Sequence, residues 1–238
     1  MNAASQVEYR DAGGFIAEVI RSRRRKTVDI RVDQGIVSVV VPSDLPVERI
    51  DALLADKRAW IKEKMILHRE ARPLSTRRYV SGEAIPYLGR NYRLKVVDGP
   101  FAAPRVETGR LVVSVPGGAI QPEMVRNAVL RWYRRRAQEK LKTKVARLAP
   151  VVGVKPGQVE VKAFRARWGS CSPRGDVAFN WRIMMAPNRV VDYVVIHELC
   201  HLIQHDHSPA FWREVARGMP DYTECREWLR ENAEQLEL

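Results

Sequence analysis

Cysteine is scarce in this chain: Cys171, Cys200 and Cys225 are all there is, and no two form a C-x-x-C pair. So few, and odd in number, they argue against a disulfide framework and a cysteine-built zinc site, and they fit a reducing, cytoplasmic setting. Long apolar runs are missing too. No stretch approaches the ~20 residues that span a bilayer. Met1 to Ile20 carries Glu8, Asp11 and Glu18 where a secretory signal needs a continuous apolar core. Neither membrane insertion nor export is expected. Acidic residues are outnumbered, 28 Asp and Glu against 41 Lys and Arg, which leaves a net charge of +13. Part of that excess is clustered, in Arg21–Lys26 and Arg131–Arg136. Such runs can hold phosphate backbones without regard to sequence, so nonspecific nucleic-acid contact is one reading. A solvated basic face is the other, since no nucleic-acid-reading motif accompanies the charge.

What remains is ordinary for a soluble globular protein: 238 residues, 45% hydrophobic and 29% charged, enough for a real core. Residues 1–14 are polar and expected to be a loose tail. Val28–Val32 and Ile36–Val41 alternate as strands do, with Asp33-Gln34-Gly35 as a hairpin turn. A helix is expected from Pro46 to about Arg69, capped by Ser43 or Asp44. The pattern recurs: Arg31–Pro42 aligns without gaps on Arg105–Pro116, and a second helix follows from about Gln121 to Leu148. Between the two units, Tyr79–Val97 reads as a further hairpin. After them come strands at Val159–Phe164 and Val177–Met185 around a Pro173-Arg174-Gly175 turn. Helices are expected at about Arg189–Gln204, Pro209–Ala216 and Asp221–Glu234. Strands and helices are segregated, which makes the class α+β. The expected division is a tail over 1–14, a hairpin-and-helix region over 15–100 and the chemistry-bearing part over 101–238.

Four of the five histidines fall within His197–His207, and the segment begins His197-Glu198-Leu199-Cys200-His201. In H-E-x-x-H on a helix, residues four apart share a face, so both imidazoles reach one metal ion. Glu198 sits one step round, beside the metal, placed to take a proton from a water on it. Ile196, Leu199, Cys200, Leu202 and Ile203 make the rest of the segment apolar and buried, where unpaired polar groups are costly. A metal satisfies all three. Two core histidines bonded to carbonyls, with Glu198 paired to an arginine, are the structural alternative. Imidazole donors suit zinc, and three protein ligands plus water is the usual catalytic arrangement. His205 is one candidate third ligand, but it lies eight residues past His197, about 12 Å along a straight helix. His207 lies beyond the expected helix end, where the chain can turn back. Its spacing equals that of metzincins, with Gln204 where those have glycine.

A second constellation is Arg165-Ala-Arg167-Trp168-Gly169-Ser170-Cys171-Ser172, running on to Asn180-Trp181. Small residues at Gly169 and Ser170 would let an extended peptide approach by strand addition. Arg165 or Arg167 could steady an oxyanion, and Trp168 could line the site. The structural alternative is a tight hairpin packed by Trp168.

Through Arg167–Ser172, Asn180, His197–His201, His207-Ser208 and Phe211-Trp212 the chain resembles the YgjP-like zinc metallopeptidases, relatives of the SprT-like and WLM zincin peptidases. Ile85–Tyr92 resembles the same family more loosely, so the likeness covers most of the chain. The resemblance implies a zincin-like catalytic domain over 101–238, zinc on His197, His201 and His207, and Glu198 as catalytic residue; it supplies no particular substrate, and a protein or peptide is expected from the peptidase reading itself. SprT-like relatives act on proteins at DNA, which adds weight to the basic runs. His205 is no part of the family pattern. Two further readings stay open: a DNA-associated protein whose zinc is structural, closed by Asp206 or His205, and a metal hydrolase of a non-peptide bond.

Overall fold

A computed structural model of the chain describes residues 7–70, 77–116 and 121–238. They form two compact units. The first comprises Met1–Glu83, Leu94–Glu107 and Leu111–Arg131, the second Ala84–Arg93, Thr108–Arg110 and Trp132–Leu238. The architecture is α+β, with three sheets and six α-helices among the described residues.

In the first unit, β1 (Val7–Asp11) and β2 (Ile16–Ser22) pair antiparallel. The expected loose tail is therefore a strand over Val7–Asp11, and its residues 1–6 lie outside the described part. β3 (Asp29–Asp33) and β4 (Ile36–Pro42) are the expected hairpin. Gln34 and Gly35 close it at φ 52° and 85°, two left-handed residues in succession whose twist matches that of the strands. β4 then pairs in parallel with β2, so the order is β1-β2-β4-β3.

Alternation turns Val37, Val39 and Val41 to one face with Ala17 and Val19, where they meet Ile50, Leu54 and Ile61. Those three come from α1 (Val47–Asp56) and α2 (Arg58–Glu70). The single helix expected over 46–69 is broken at Lys57, which sits at φ −87°, ψ 2°; the break lets each helix turn its own apolar face to the sheet. Pro46, with no side-chain cap, opens α1 in place of Ser43 or Asp44.

The expected boundary at residue 100 falls between β6 (Arg90–Asp98) and β7 (Ala102–Glu107). Within the first unit the later part of β6 lies beside β8 (Arg110–Val115), and β8 beside β7, so ladder pairing overrides that boundary. The β7–β8 turn is Thr108-Gly109, at φ 47° and 74°, the same left-handed pair as Gln34-Gly35.

In the second unit β5 (Ala84–Tyr87) pairs with the first residues of β6. Helix α3 runs Pro122–Val152, one turn past its expected end, and belongs to the second unit from Trp132 on. A three-stranded sheet of order β10-β11-β9 follows, built from β9 (Val159–Lys162), β10 (Gly169–Cys171) and β11 (Val177–Asn180). The strand expected to reach Met185 stops at Asn180, whose side-chain oxygen accepts from Arg182 N–H and starts a 3-10 turn over Trp181–Met185. The last helices are α4 (Asn188–Cys200), α5 (Pro209–Gly218) and α6 (Tyr222–Asn232).

The basic runs are partly consumed by the fold. Arg131 is buried, donates to the Ile16 carbonyl at 2.5 Å and lies 3.5 Å from Glu18. Trp132 and Tyr133 are core, and Arg136 pairs with Glu139. Arg21 is held by Glu8 at 2.6 Å. Arg23 to Lys26 are exposed.

Candidate metal centre

Helix α4 is buried nearly all round, from Val190 to Cys200, with His197 half-exposed in its last turn. The helix ends four residues before its expected end at Gln204. Cys200 O accepts from both Ile203 N–H and Gln204 N–H at 2.9 Å, which coils the chain into a turn. His201 is the C-cap, and its Nδ1 lies 3.1 Å from the Gln204 carbonyl. That bond directs Nε2 of His201 towards the ligand side.

The turn brings His207 back. Its Nε2 lies 3.1 Å from Nε2 of His197, and one ring nitrogen from each of His197, His201 and His207 falls within 4.8 Å of the others. Ser208 then caps α5 through Phe211 N–H at 3.5 Å, with Pro209 at the first helical position. Phe211 is fully buried among the three rings, 4.9 Å from His197, 4.5 Å from His201 and 4.9 Å from His207. His205 lines the same cleft but is outside this trio.

The trio fits a metal ion. Two nitrogens at tetrahedral zinc, each about 2.0–2.1 Å from it, stand roughly 3.3 Å apart, close to the His197–His207 separation. Burial pushes His197 down to about 3, helped by the neighbouring His201 and His207, and burial lowers His201 as well. Both are neutral at ordinary pH, the form that donates a lone pair. His197 Nδ1 is buried with no hydrogen-bond partner among the described residues.

Glu198 is 5% exposed and makes no hydrogen bond or ion pair to any described residue. Burial pushes its carboxyl up to about 8, against a pull from Arg167 in the other direction. A divalent ion beside it would pull it further down. The carboxyl lies against Gly169 of β10: a Cβ there would stand 2.5 Å from Glu198 Oε1 and Cγ. Glycine at 169 is thus the condition for Glu198 to lie where it does.

A cleft of about 1310 Å³ opens over the trio. Arg167, Trp168, Gly169, Ser170 and Cys171 line it, with β10 at the edge of its sheet. Arg165 is not among the lining residues. Asn180 fixes the approach to β10: its amide donates to the carbonyls of Phe164 and Arg167 at 3.0 and 3.2 Å. Lining residues that the motifs do not reveal are Tyr193, one helical turn before His197, and Arg226, Leu229 and Arg230 on α6. Four-residue spacing from His197 signals Tyr193; no local pattern signals the α6 residues.

The family model described as YgjP-like, metallopeptidase domain, matches residues 26–232. No curated protein matches the chain. Among solved structures, the crystal structure of the metallopeptidase zymogen of Pyrococcus abyssi abylysin is similar over 38% of this chain and 93% of that one, at 20% identity and a TM-score of 0.35. No helix among the described residues is long and apolar enough to cross a membrane.

Proposed function

Since the chain belongs to the YgjP-like metallopeptidase family, we propose that it is a zinc-dependent peptidase with a zincin-like catalytic domain, its metal on His197, His201 and His207. The observation that carries this reading is the buried, unpaired Glu198 beside three converging imidazoles. Zinc, when bound, supplies a Lewis acid that polarises the scissile carbonyl and acidifies water. Glu198 takes the proton of the attacking water and hands it to the amine nitrogen as the C–N bond breaks. An extended peptide adds to the free edge of β10, with Gly169 and Ser170 small enough for backbone approach and Trp168 beside them. Arg167 is the cation available to the developing oxyanion on that side, whereas Arg165 drops out of the assignment with its place outside the cleft. Three unpaired thiols accord with a reducing, cytoplasmic setting.

A structural zinc site needs a fourth protein ligand, and the ligand group among the described residues holds three. Elemental analysis of protein expressed with zinc supplied should find about one zinc per chain. The loaded protein should cut an unfolded protein substrate, and chelation should stop it. Protein that carries no transition metal, or that cuts equally well after chelation, would overturn the proposal.

A further inference from the structure

Helix α6 contributes two arginines to the cleft, and they differ in what holds them. Arg230 pairs with Glu227, three residues before it. Arg226 makes no ion pair or hydrogen bond to any described residue. Its guanidinium lies over the Trp212 ring, Cζ 4.5 Å from the centroid. Trp212 is itself stacked with His207 at 5.8 Å and with Tyr222 at 5.4 Å, so the arginine is seated on the aromatic layer that supports the metal trio. A guanidinium stacked in this way has a fixed plane and keeps its N–H edge for a ligand. Tyr222 stacks in turn on Tyr193 at 6.4 Å. Tyr193 is 5% exposed, has its ring against His197, lines the cleft and makes no hydrogen bond to a described residue. A phenol hydroxyl carries its proton at ordinary pH, so Tyr193 offers a donor to the cleft.

On this wall Arg226 is a cation with no carboxylate paired to it among the described residues. The acids that line the cleft are Glu198, against Gly169, and Glu227, already engaged by Arg230. Arg167 adds a further cation, its guanidinium over Phe164 at 4.6 Å. A basic residue docked against α6 would repel Arg226, and a neutral one would offer it only uncharged acceptors. A carboxylate matches its fork with two parallel hydrogen bonds.

We propose that Arg226, backed by Trp212 and flanked by the Tyr193 hydroxyl, is a carboxylate-binding subsite. The peptide residue lying against α6 carries an acidic side chain or is a free C-terminus. The inference rests on the peptidase reading for its substrate class.

Zinc-loaded Glu198→Gln protein, which retains the ligands, is titrated with labelled neutral decapeptides. One arm scans a single Glu along the peptide against Gln at the same place. The other compares a free C-terminus with its amide. At one position of the scan, or at the terminus, the charged member should bind about tenfold or more tightly than the neutral one. Adding Arg226→Gln should shrink that ratio below about twofold, and Arg226→Lys should retain part of it. Unaltered zinc content in these variants shows that the site itself is intact. Equal affinity in both arms, including no measurable binding in either, would overturn the subsite, as would a preference that survives Arg226→Gln. Wild-type protein that binds carboxylate peptides selectively but cuts neither them nor unfolded protein would sink the peptidase reading and leave the subsite standing. Cutting without charge preference would do the reverse.

Discussion

Helix α4 buries a carboxylate near each of its ends, and the two are treated differently. Asp192, 7% exposed, accepts from Lys144 Nζ at 2.6 Å and lies 2.7 Å from Arg147 NH2, both reaching it from α3. Burial lowers Lys144, and the bond to Asp192 works against that shift. Glu198, six residues on and 5% exposed, has no such partner. Taking a charge out of water costs several kcal/mol unless a counter-charge repays it. At Asp192 the cations of α3 repay it, and the group joins two helices. At Glu198 the attraction of Arg167, which makes no ion pair with it, leaves the cost of burial uppermost. Such a group marks a candidate functional site, and in the proposed function a metal ion and its water would complete it.

The sharpest test of that contrast is the same isosteric change at both ends. Glu198→Gln should lower hydrolysis by about 10²–10⁴-fold while leaving zinc content and melting temperature at or above wild type. If Glu198→Gln destabilises the fold as Asp192→Asn does, the contrast between the two carboxylates collapses. His207→Ala should weaken zinc binding by more than about a hundredfold, beyond what residues behind the ligands cost, whereas His205→Ala should stay within about tenfold. Calorimetric titration of zinc into both apo variants separates them, and the opposite order would reassign the third ligand. Asp192→Asn should cost about 3 kcal/mol in denaturant unfolding, because Lys144 is left buried and unpaired. A cost under about 1 kcal/mol would mean the pair behaves as a surface one. Gly169→Ala has the smallest effect. Its methyl would push the buried Glu198 side chain aside, so turnover should fall about tenfold while stability falls by about 1–3 kcal/mol, the cost of a methyl forced against Cγ as well as the carboxyl. Unchanged turnover would show that the position of Glu198 against β10 does not matter.

Much of this was written locally. Glycine tolerates the left-handed backbone that a two-residue hairpin turn requires, so the turns Gln34-Gly35 and Thr108-Gly109 stand out in the sequence. Helical repeat places His197 and His201 on one face whatever surrounds them. Ser208-Pro209 marks the start of α5 with a cap and a preset φ. Other features were not legible because their causes are distant in the chain. Strand β2 is held by parallel pairing to β4 and by the edge strand β1. Arg131 reads as part of a basic run yet is spent on Ile16, 115 residues away.

By itself the sequence determined the chemistry on offer: a helix with two imidazoles and a carboxylate at 3.6-residue repeat, a third imidazole beyond it, and a glycine small enough to lie against that carboxylate. Only the tertiary structure decided how these combine. It ended α4 at Cys200 rather than Gln204, with no glycine or proline to mark the place, because the turn that bonds His201 Nδ1 to the Gln204 carbonyl also returns His207 to His197. It left Arg165 out of the cleft and brought Tyr193 and Arg226 in. The difference is physical: periodicity and turn preference act over a few residues, whereas convergence on one point depends on packing between elements far apart in the chain.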